Sequence, residues 1–243
     1  MLNLIIDQGN TFIKAALFRD GKLERKAIFE KFDIEEIKSL LNSETPDGII
    51  LSSVTNHNIL KTLQDEFDDK VLQLSHEIPL PFRSRYTTPE TLGLDRIALA
   101  AAAVARVPQQ NCLVIDAGTC VTYDFIDKKG VYHGGAISPG LIMRYRALAH
   151  FTSRLPEIKH HRPQNLIGES TAESIRSGVT NGLIAEVEGT IARYQKRFPG
   201  IQVVITGGDM EVFEALLKNG IFAAPDFLLY GLNYILVNYA EVP

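Results

Sequence analysis

The stretch Cys112-Leu113-Val114-Ile115-Asp116-Ala117-Gly118-Thr119-Cys120 decides the fold, because the chain carries its pattern twice. The other copy is Leu2-Asn3-Leu4-Ile5-Ile6-Asp7-Gln8-Gly9-Asn10-Thr11. Asp7 and Asp116, Gly9 and Gly118, and Gly21 and Gly130 all stand 109 positions apart. Each copy reads as an apolar strand, an Asp-x-Gly turn, a second strand and a glycine-containing turn. In the first copy that last turn is Asp20-Gly21, a strong hairpin signal. In the second it is Asp127-Lys128-Lys129-Gly130. Asp-x-Gly turns are common, but one offset running through three landmarks favours duplication over coincidence.

Outward from each hairpin the pattern changes. A third strand is expected over residues 26–29 in the first half and 131–137 in the second. Helices and strands then alternate, with helix over 34–41, strand over 48–53, helix over 58–67 and strand over 71–74. A helix over 96–106 is stopped by Pro108. The longest helical pattern covers 170–198, with Ile175, Val179, Leu183, Val187 and Ile191 recurring every four residues. Ser170-x-x-Glu173 offers a capping box at its start, and Pro199-Gly200 ends it. A strand over 201–206, a helix over 210–219 and a terminal helix over 228–239 complete the chain. The pattern predicts a duplicated α/β architecture with an interdomain cleft, divided at 1–108 and 109–243.

Composition narrows the classes of function. The 243 residues are 45% hydrophobic and 22% charged, values of an ordinary globular protein. A net charge of −4 supplies no general basic field, so nucleic acid is not an expected partner. Leu2 to Ile6 is too short an apolar run for a signal peptide, and no run approaches a membrane span. The chain therefore reads as soluble and cytoplasmic. Cys112 and Cys120 are too few for a disulfide scaffold and read as buried thiols.

Asp7, at a strand end, places a carboxylate beside a glycine that lets the backbone approach an anion. Asn10, Thr11 and backbone N–H groups there can donate to phosphate oxygens, although the same residues also make an ordinary Asx turn. Asp116 with Gly118-Thr119 repeats the arrangement. Two carboxylates and two donor-rich turns suit a nucleoside triphosphate with its Mg²⁺. A third glycine turn, Thr206-Gly207-Gly208-Asp209, also follows a strand. Gly134-Gly135-Ala136-Ile137-Ser138-Pro139-Gly140 reads either as a loop over the ligand or as a crowded connection. Gly93-Leu94-Asp95-Arg96 opens a helix, where Asp95 is either the N-cap or a group that orients a substrate hydroxyl. Arg144, Arg146, Arg154, Lys159, His160, His161 and Arg162 form a basic stretch, readable as a solvated face or a phosphate contact.

Together these motifs resemble one family, type III pantothenate kinase, of the acetate and sugar kinase/Hsp70/actin superfamily. The resemblance runs along nearly the whole chain. It rests on Asp7-x-Gly9-Asn10-Thr11-x-x-Lys14, Ser52-Ser53-Val54, Tyr86 with Pro89, and Gly93-x-Asp95-Arg96. It continues through Asp116-x-Gly118-Thr119 with Thr122 and Asp124, Gly134-Gly135-x-Ile137-x-Pro139-Gly140, and Leu155-Pro156. Gly168 with Thr171, Ser177-Gly178, and Thr206-Gly207-Gly208-Asp209 complete it. Gln8 departs from the small aliphatic residue usual in the family, and Cys120 from the usual alanine.

The resemblance implies two actin-like (ribonuclease H-like) domains and ATP-dependent phosphorylation of pantothenate, the first step of coenzyme A synthesis. It implies that Asp7, Gln8, Gly9, Asn10, Thr11, Phe12, Ile13, Lys14 and Thr119 bind ATP. Tyr86, Gly93, Leu94, Asp95, Arg96 and Thr171 would contact pantothenate, with Asp95 as proton acceptor. Asp116 would hold a monovalent cation, potassium or ammonium, alongside the Mg²⁺ that accompanies ATP. A homodimer is also implied. The stripe Gly178, Gly182, Ala185 and Gly189 on the long helix fits a close-packed partner subunit, or close packing within the chain. Two rivals are another kinase of the superfamily and a non-catalytic nucleotide-binding regulator. The first is disfavoured by Tyr86 with Gly93-x-Asp95-Arg96, and the second leaves Asp95 without a chemical role.

Overall fold

The computed structural model describes residues 1–9, 11–53, 58–163, 165–213 and 221–240. The chain forms two compact units, Met1–Pro108 with Gly130–Tyr132 and Asp226–Pro243, and Gln109–Lys129 with His133–Pro225.

In the first unit the apolar run forms β1 (Leu2–Gln8). It turns antiparallel into β2 (Ile13–Arg19), which turns again into β3 (Lys22–Phe29). Asp20 and Gly21, both at positive φ, make the second turn as expected. The helix α1 (Ile34–Leu41) begins at Asp33, whose side chain accepts from the Glu35 N–H. The strand β4 (Gly48–Ser53) then pairs parallel with β1. The helix α2 (Asn58–Phe67) leads to the short strand β5 (Val71–Gln73), and the sheet order is β3-β2-β1-β4-β5.

Both faces of β1, β2 and β4 are buried, which is why these strands read as apolar runs, while β3 alternates exposed and half-buried residues. Leu4, Ile6, Ile13, Ala15, Leu17, Ile49 and Leu51 share a core with Ile37 of α1 and Leu63 of α2. After β6 (Arg83–Ser84), the helix α3 (Leu94–Arg106) carries the fully buried row Ala98 to Ala103.

In the second unit, β7 (Cys112–Ala117), β8 (Cys120–Ile126) and β9 (Val131–Pro139) repeat the double hairpin. Val131 and Tyr132 of β9 also pair with Arg83 and Ser84. The helices α4 (Leu141–Phe151) and α5 (Thr171–Arg197) precede β10 (Gln202–Thr206), which pairs parallel with β7. The two-residue strand β11 (Phe222–Ala223) completes a six-stranded sheet of order β6-β9-β8-β7-β10-β11, in which β9-β8-β7-β10-β11 match the five strands of the first sheet. Ile175, Val179, Leu183, Val187 and Ile191 of α5 are buried against Leu113, Ile115, Val121 and Tyr123. The α5 cap forms in part, since Ser170 Oγ accepts from the Glu173 N–H at 3.3 Å while Glu173 reaches the Glu169 N–H at 2.9 Å.

Four expectations need correction. The terminal helix α6 (Phe227–Ala240), assigned by the 109–243 division to the second half, belongs to the first unit. It packs on α3, where a Cβ on Gly231 would stand 1.8 Å from the Ala98 carbonyl oxygen. Asn233 Oδ1 accepts from Asn3 Nδ2 of β1 at 2.8 Å, so the two buried amides partner one another. Second, residues 134–139 of the glycine cluster lie in β9 rather than in a loop and Gly140 is the N-cap of α4; a Cβ on Gly135 would sit 1.5 Å from the Tyr123 carbonyl oxygen, so the strand packs closely there. Third, the first four residues of the helix expected over 210–219 form a 3-10 turn, Met210–Phe213, and residues 214–219 of that expectation lie outside the described residues. Fourth, the cysteines are free thiols, but only Cys112 is buried, with its thiol pushed up to about 12 by desolvation; Cys120 is half-buried.

Candidate active site

Three strand ends carry the chemistry-bearing residues of the first unit. Asp7 is the next-to-last residue of β1, opposite Lys14 on β2 and Ser52 on β4. The residue is only 9% exposed. Burial pushes its carboxyl up to about 6, while Lys14 and a hydrogen bond from Ser52 act in the other direction. The charge of Asp95 adds to the rise, so the two carboxylates lie within electrostatic reach of each other. The turn after β1 is closed by the Gly9 N–H donating to the Phe12 carbonyl at 3.0 Å. Thr11 and Phe12 are exposed at this turn, and Lys14 is half-buried. Ile13 is a core residue, so its side chain has no access to a ligand and only its backbone can serve one. Asn10 lies outside the described residues, as does Val54.

Gln8 and the Ser-Ser pair explain one another. Ser53 Oγ donates to Gln8 Oε1 at 2.6 Å, so the polar side chain has a local partner on the neighbouring parallel strand. Ser52 was the residue easiest to overlook. Its signal was a serine pair ending the otherwise apolar strand Gly48–Ser53.

The start of α3 supplies the second group. The N-cap is Gly93, not Asp95, and no side chain caps it. Asp95 sits in the first turn with Oδ1 accepting from the Arg96 N–H at 2.8 Å. A Cβ on Gly93 would stand 2.3 Å from Asp95 Oδ1. Glycine therefore makes room for the carboxylate to fold back over the helix N-terminus, where the positive end of the helix dipole favours negative charge. Arg96 is 4% exposed, and its guanidinium carbon lies 5.7 Å from the centre of the Tyr86 ring. Tyr86 in turn packs on Tyr132 at 6.1 Å. Leu94 is half-buried. The fold thus brings Tyr86, Gly93, Asp95 and Arg96 into one cluster, with Asp7 electrostatically coupled to it.

The second unit holds Asp116, Thr119 and Thr171. Asp116 is the next-to-last residue of β7, between Thr206 of β10 and Thr122 of β8. Gly207 follows at φ +98, and a Cβ there would meet Asp116 Oδ1 at 2.4 Å and the Ala117 carbonyl oxygen at 2.2 Å. The glycine of the third turn thus has a specific function in letting the β10 end close over the β7 carboxylate. The Asp209 N–H donates to the Ala117 carbonyl at 2.9 Å and fixes that turn. Thr119 is exposed on the β7–β8 turn, and Thr171 is exposed as the first residue of α5.

Comparison with known proteins adds a family. Residues 3–193 match a family model described as type III pantothenate kinase. A type III pantothenate kinase from Christiangramia forsetii is 47% identical over 239 residues, covering 97% of this chain and 98% of the relative. Among solved structures, a Campylobacter jejuni protein named as a Baf family transcriptional activator superposes with a TM-score of 0.62 at 20% identity. That match covers 98% of this chain and 100% of the other. Acetate kinase from Porphyromonas gingivalis superposes with a TM-score of 0.54 at 10% identity, covering 98% and 99%. At these identities the two structures speak for the fold alone, which is the actin-like fold of acetate and sugar kinases.

Proposed function

The chain belongs to the type III pantothenate kinase family and phosphorylates pantothenate with ATP in coenzyme A biosynthesis, and from that premise we propose how its residues divide the work. The observation that carries the proposal is Gly93 making room for the Asp95 carboxylate over the start of α3. Asp95 is the catalytic base. It accepts the proton of the pantothenate hydroxyl as that oxygen bonds to the γ-phosphorus and the bond from phosphorus to the β,γ-bridging oxygen breaks. The products are 4′-phosphopantothenate and ADP. A positioned base of this kind contributes ~10²–10⁴-fold.

Arg96 binds the pantothenate carboxylate through charge-assisted hydrogen bonds, strengthened by its dry position beneath Tyr86. Gly93, Leu94 and Thr171 line the same substrate. Thr11, Phe12 and the Ile13 backbone offer N–H groups to the ATP phosphates, joined by Asn10, Lys14 and Thr119, while Gly9, whose own N–H goes to the Phe12 carbonyl, lets the backbone approach them closely. Gln8 holds its place through Ser53.

Among the described residues no group of three or more His, Cys, Asp or Glu side chains could hold a metal ion. Asp7 is a carboxylate that, with the nucleotide's own oxygens, would suit the Mg²⁺ bound to ATP, a cation commonly held by one or two carboxylates plus phosphates. Mg²⁺ accompanies ATP and offsets charge on the transferring phosphoryl group. Asp116 holds the monovalent cation, potassium or ammonium.

The enzyme works as a homodimer in the cytoplasm. Gly178, Gly182 and Gly189 of α5 support the dimer, since a Cβ on any of them would meet nothing within 4 Å. Packing among the described residues therefore gives no reason for glycines that each cost roughly 1 kcal/mol against alanine in a helix. Ile137, Phe151, Leu166 and Ile167 of the same unit are exposed large apolar side chains. No helix among the described residues is long and apolar enough to cross a membrane.

A coupled assay of ADP release tests the reading. Release that requires pantothenate, and that is faster in potassium than in sodium buffer, is expected. ADP release indifferent to pantothenate would refute the substrate, and equal rates in the two buffers would refute the role of Asp116.

A further inference from the structure

The segment that leads into α5 encloses a cavity separate from the residues assigned to phosphoryl transfer. It measures about 200 Å³, and its wall includes His161, Arg162, Asn165, Gly168, Glu173 and Arg176. The wall is firmly built. Ser174 Oγ donates to the Gly168 carbonyl at 3.2 Å, Ser177 Oγ donates to the Leu166 carbonyl, and the Glu169 N–H donates to Glu173 Oε2 at 2.9 Å. A Cβ on Gly168 would stand 2.3 Å from the Ser174 nitrogen, so the segment lies directly against the helix backbone.

The chemistry of the wall points to an anion. Arg162 and Arg176 carry permanent positive charge. Glu173 opposes them, with one of its oxygens occupied by the Glu169 N–H. Arg176 Nε is shielded from solvent and has no hydrogen-bond partner among the described residues. A desolvated donor on a charged group is unfavourable until an acceptor reaches it. Positive charge also accumulates around the cavity. His160 is held below its ordinary range first by burial and then by His161 and Arg176, with Asp209 acting in the opposite sense.

We propose that this cavity is a binding site for a phosphate group, free or as the monoester of a small metabolite. The volume equals that of about seven liquid waters, which holds one phosphate with part of its hydration but not a nucleoside triphosphate. Two guanidinium groups and an imidazole supply donors suited to a tetrahedral oxyanion. No residue of this wall is assigned to the transfer reaction, so the proposal stands independently of it.

The test is an NMR titration of the full-length protein, following the His161 ring while inorganic phosphate replaces chloride at constant ionic strength. Pantothenate and a non-hydrolysable ATP analogue are present throughout, so that the reaction site is filled. A saturable shift is expected, weakened about tenfold by Arg176→Gln, the loss that follows from one charge-assisted hydrogen bond. Arg146→Gln, at an exposed arginine paired with Glu157, should leave it unchanged. If Arg176→Gln does not fold, Arg162→Gln carries the same expectation. A parallel titration with methyl phosphate separates the sources: comparable binding identifies a monoester site, and binding of inorganic phosphate alone identifies a free-phosphate site. A shift linear in phosphate, or equal in wild type and both arginine variants, overturns the proposal.

Discussion

Replacing Asp7 by asparagine should stabilise the protein while abolishing its activity. The Asp7 carboxyl is raised from 3.8 to about 6, chiefly by burial. A carboxyl raised on folding favours the native state fully below its unfolded value, and that advantage is lost as pH rises through the folded value. The ionised form thus costs the wild-type fold about 3 kcal/mol above pH 6 and about 1 kcal/mol at pH 4.5. Asparagine is nearly the same shape, still accepts from Ser52, and never ionises. Urea unfolding of the ligand-free protein should therefore show Asp7→Asn more stable by about 1 kcal/mol at pH 4.5, widening to about 3 kcal/mol at pH 8. The activity loss follows because the ionised carboxylate is needed beside ATP and its cation. A stability difference that stays constant with pH, or a variant less stable than wild type at pH 8, would refute the reasoning.

Gly93→Ala should fold normally, since φ −55 at this position suits alanine. Its Cβ would displace the Asp95 carboxylate, so kcat should fall about tenfold or more with little change in Tm; native turnover would show that this carboxylate position is irrelevant. Light scattering should give twice the 27.0 kDa of one chain. Gly182→Leu, which improves helix propensity by roughly 1 kcal/mol, should nevertheless yield a monomer. A dimer that survives this substitution places the interface elsewhere.

Much of the fold was legible because its signals are local. The helices at Ile34–Leu41 and Asn58–Phe67 and the strand Gly48–Ser53 lie where periodicity put them. The long helix Thr171–Arg197 lost only its end residues, Ser170 and Phe198, which serve as its caps. The two-residue strands at Arg83–Ser84 and Phe222–Ala223 were not legible, since two residues carry no alternation. Nor was the docking of the terminal helix, because Gly231 acts through Ala98, a residue far away in sequence. At the candidate site, residue types were readable and geometry was not. Asp95 read equally as a helix cap until Gly93 took that position, and Ile13 read as a ligand neighbour although its side chain lies in the core.

The most direct test of the central claim is the turnover of Asp95→Asn. Asparagine keeps the size of the side chain and its hydrogen bond from the Arg96 N–H, and removes only the charge and the basicity. Loss of a negative charge in the first helical turn costs about 0.3–1 kcal/mol, so the variant should fold and bind ATP as wild type does. With Asp95 as the base, kcat for pantothenate phosphorylation falls ~10²-fold or more. A folded Asp95→Asn protein that turns over pantothenate at the wild-type rate would contradict the assignment, leaving Asp95 as part of the helix N-terminus alone.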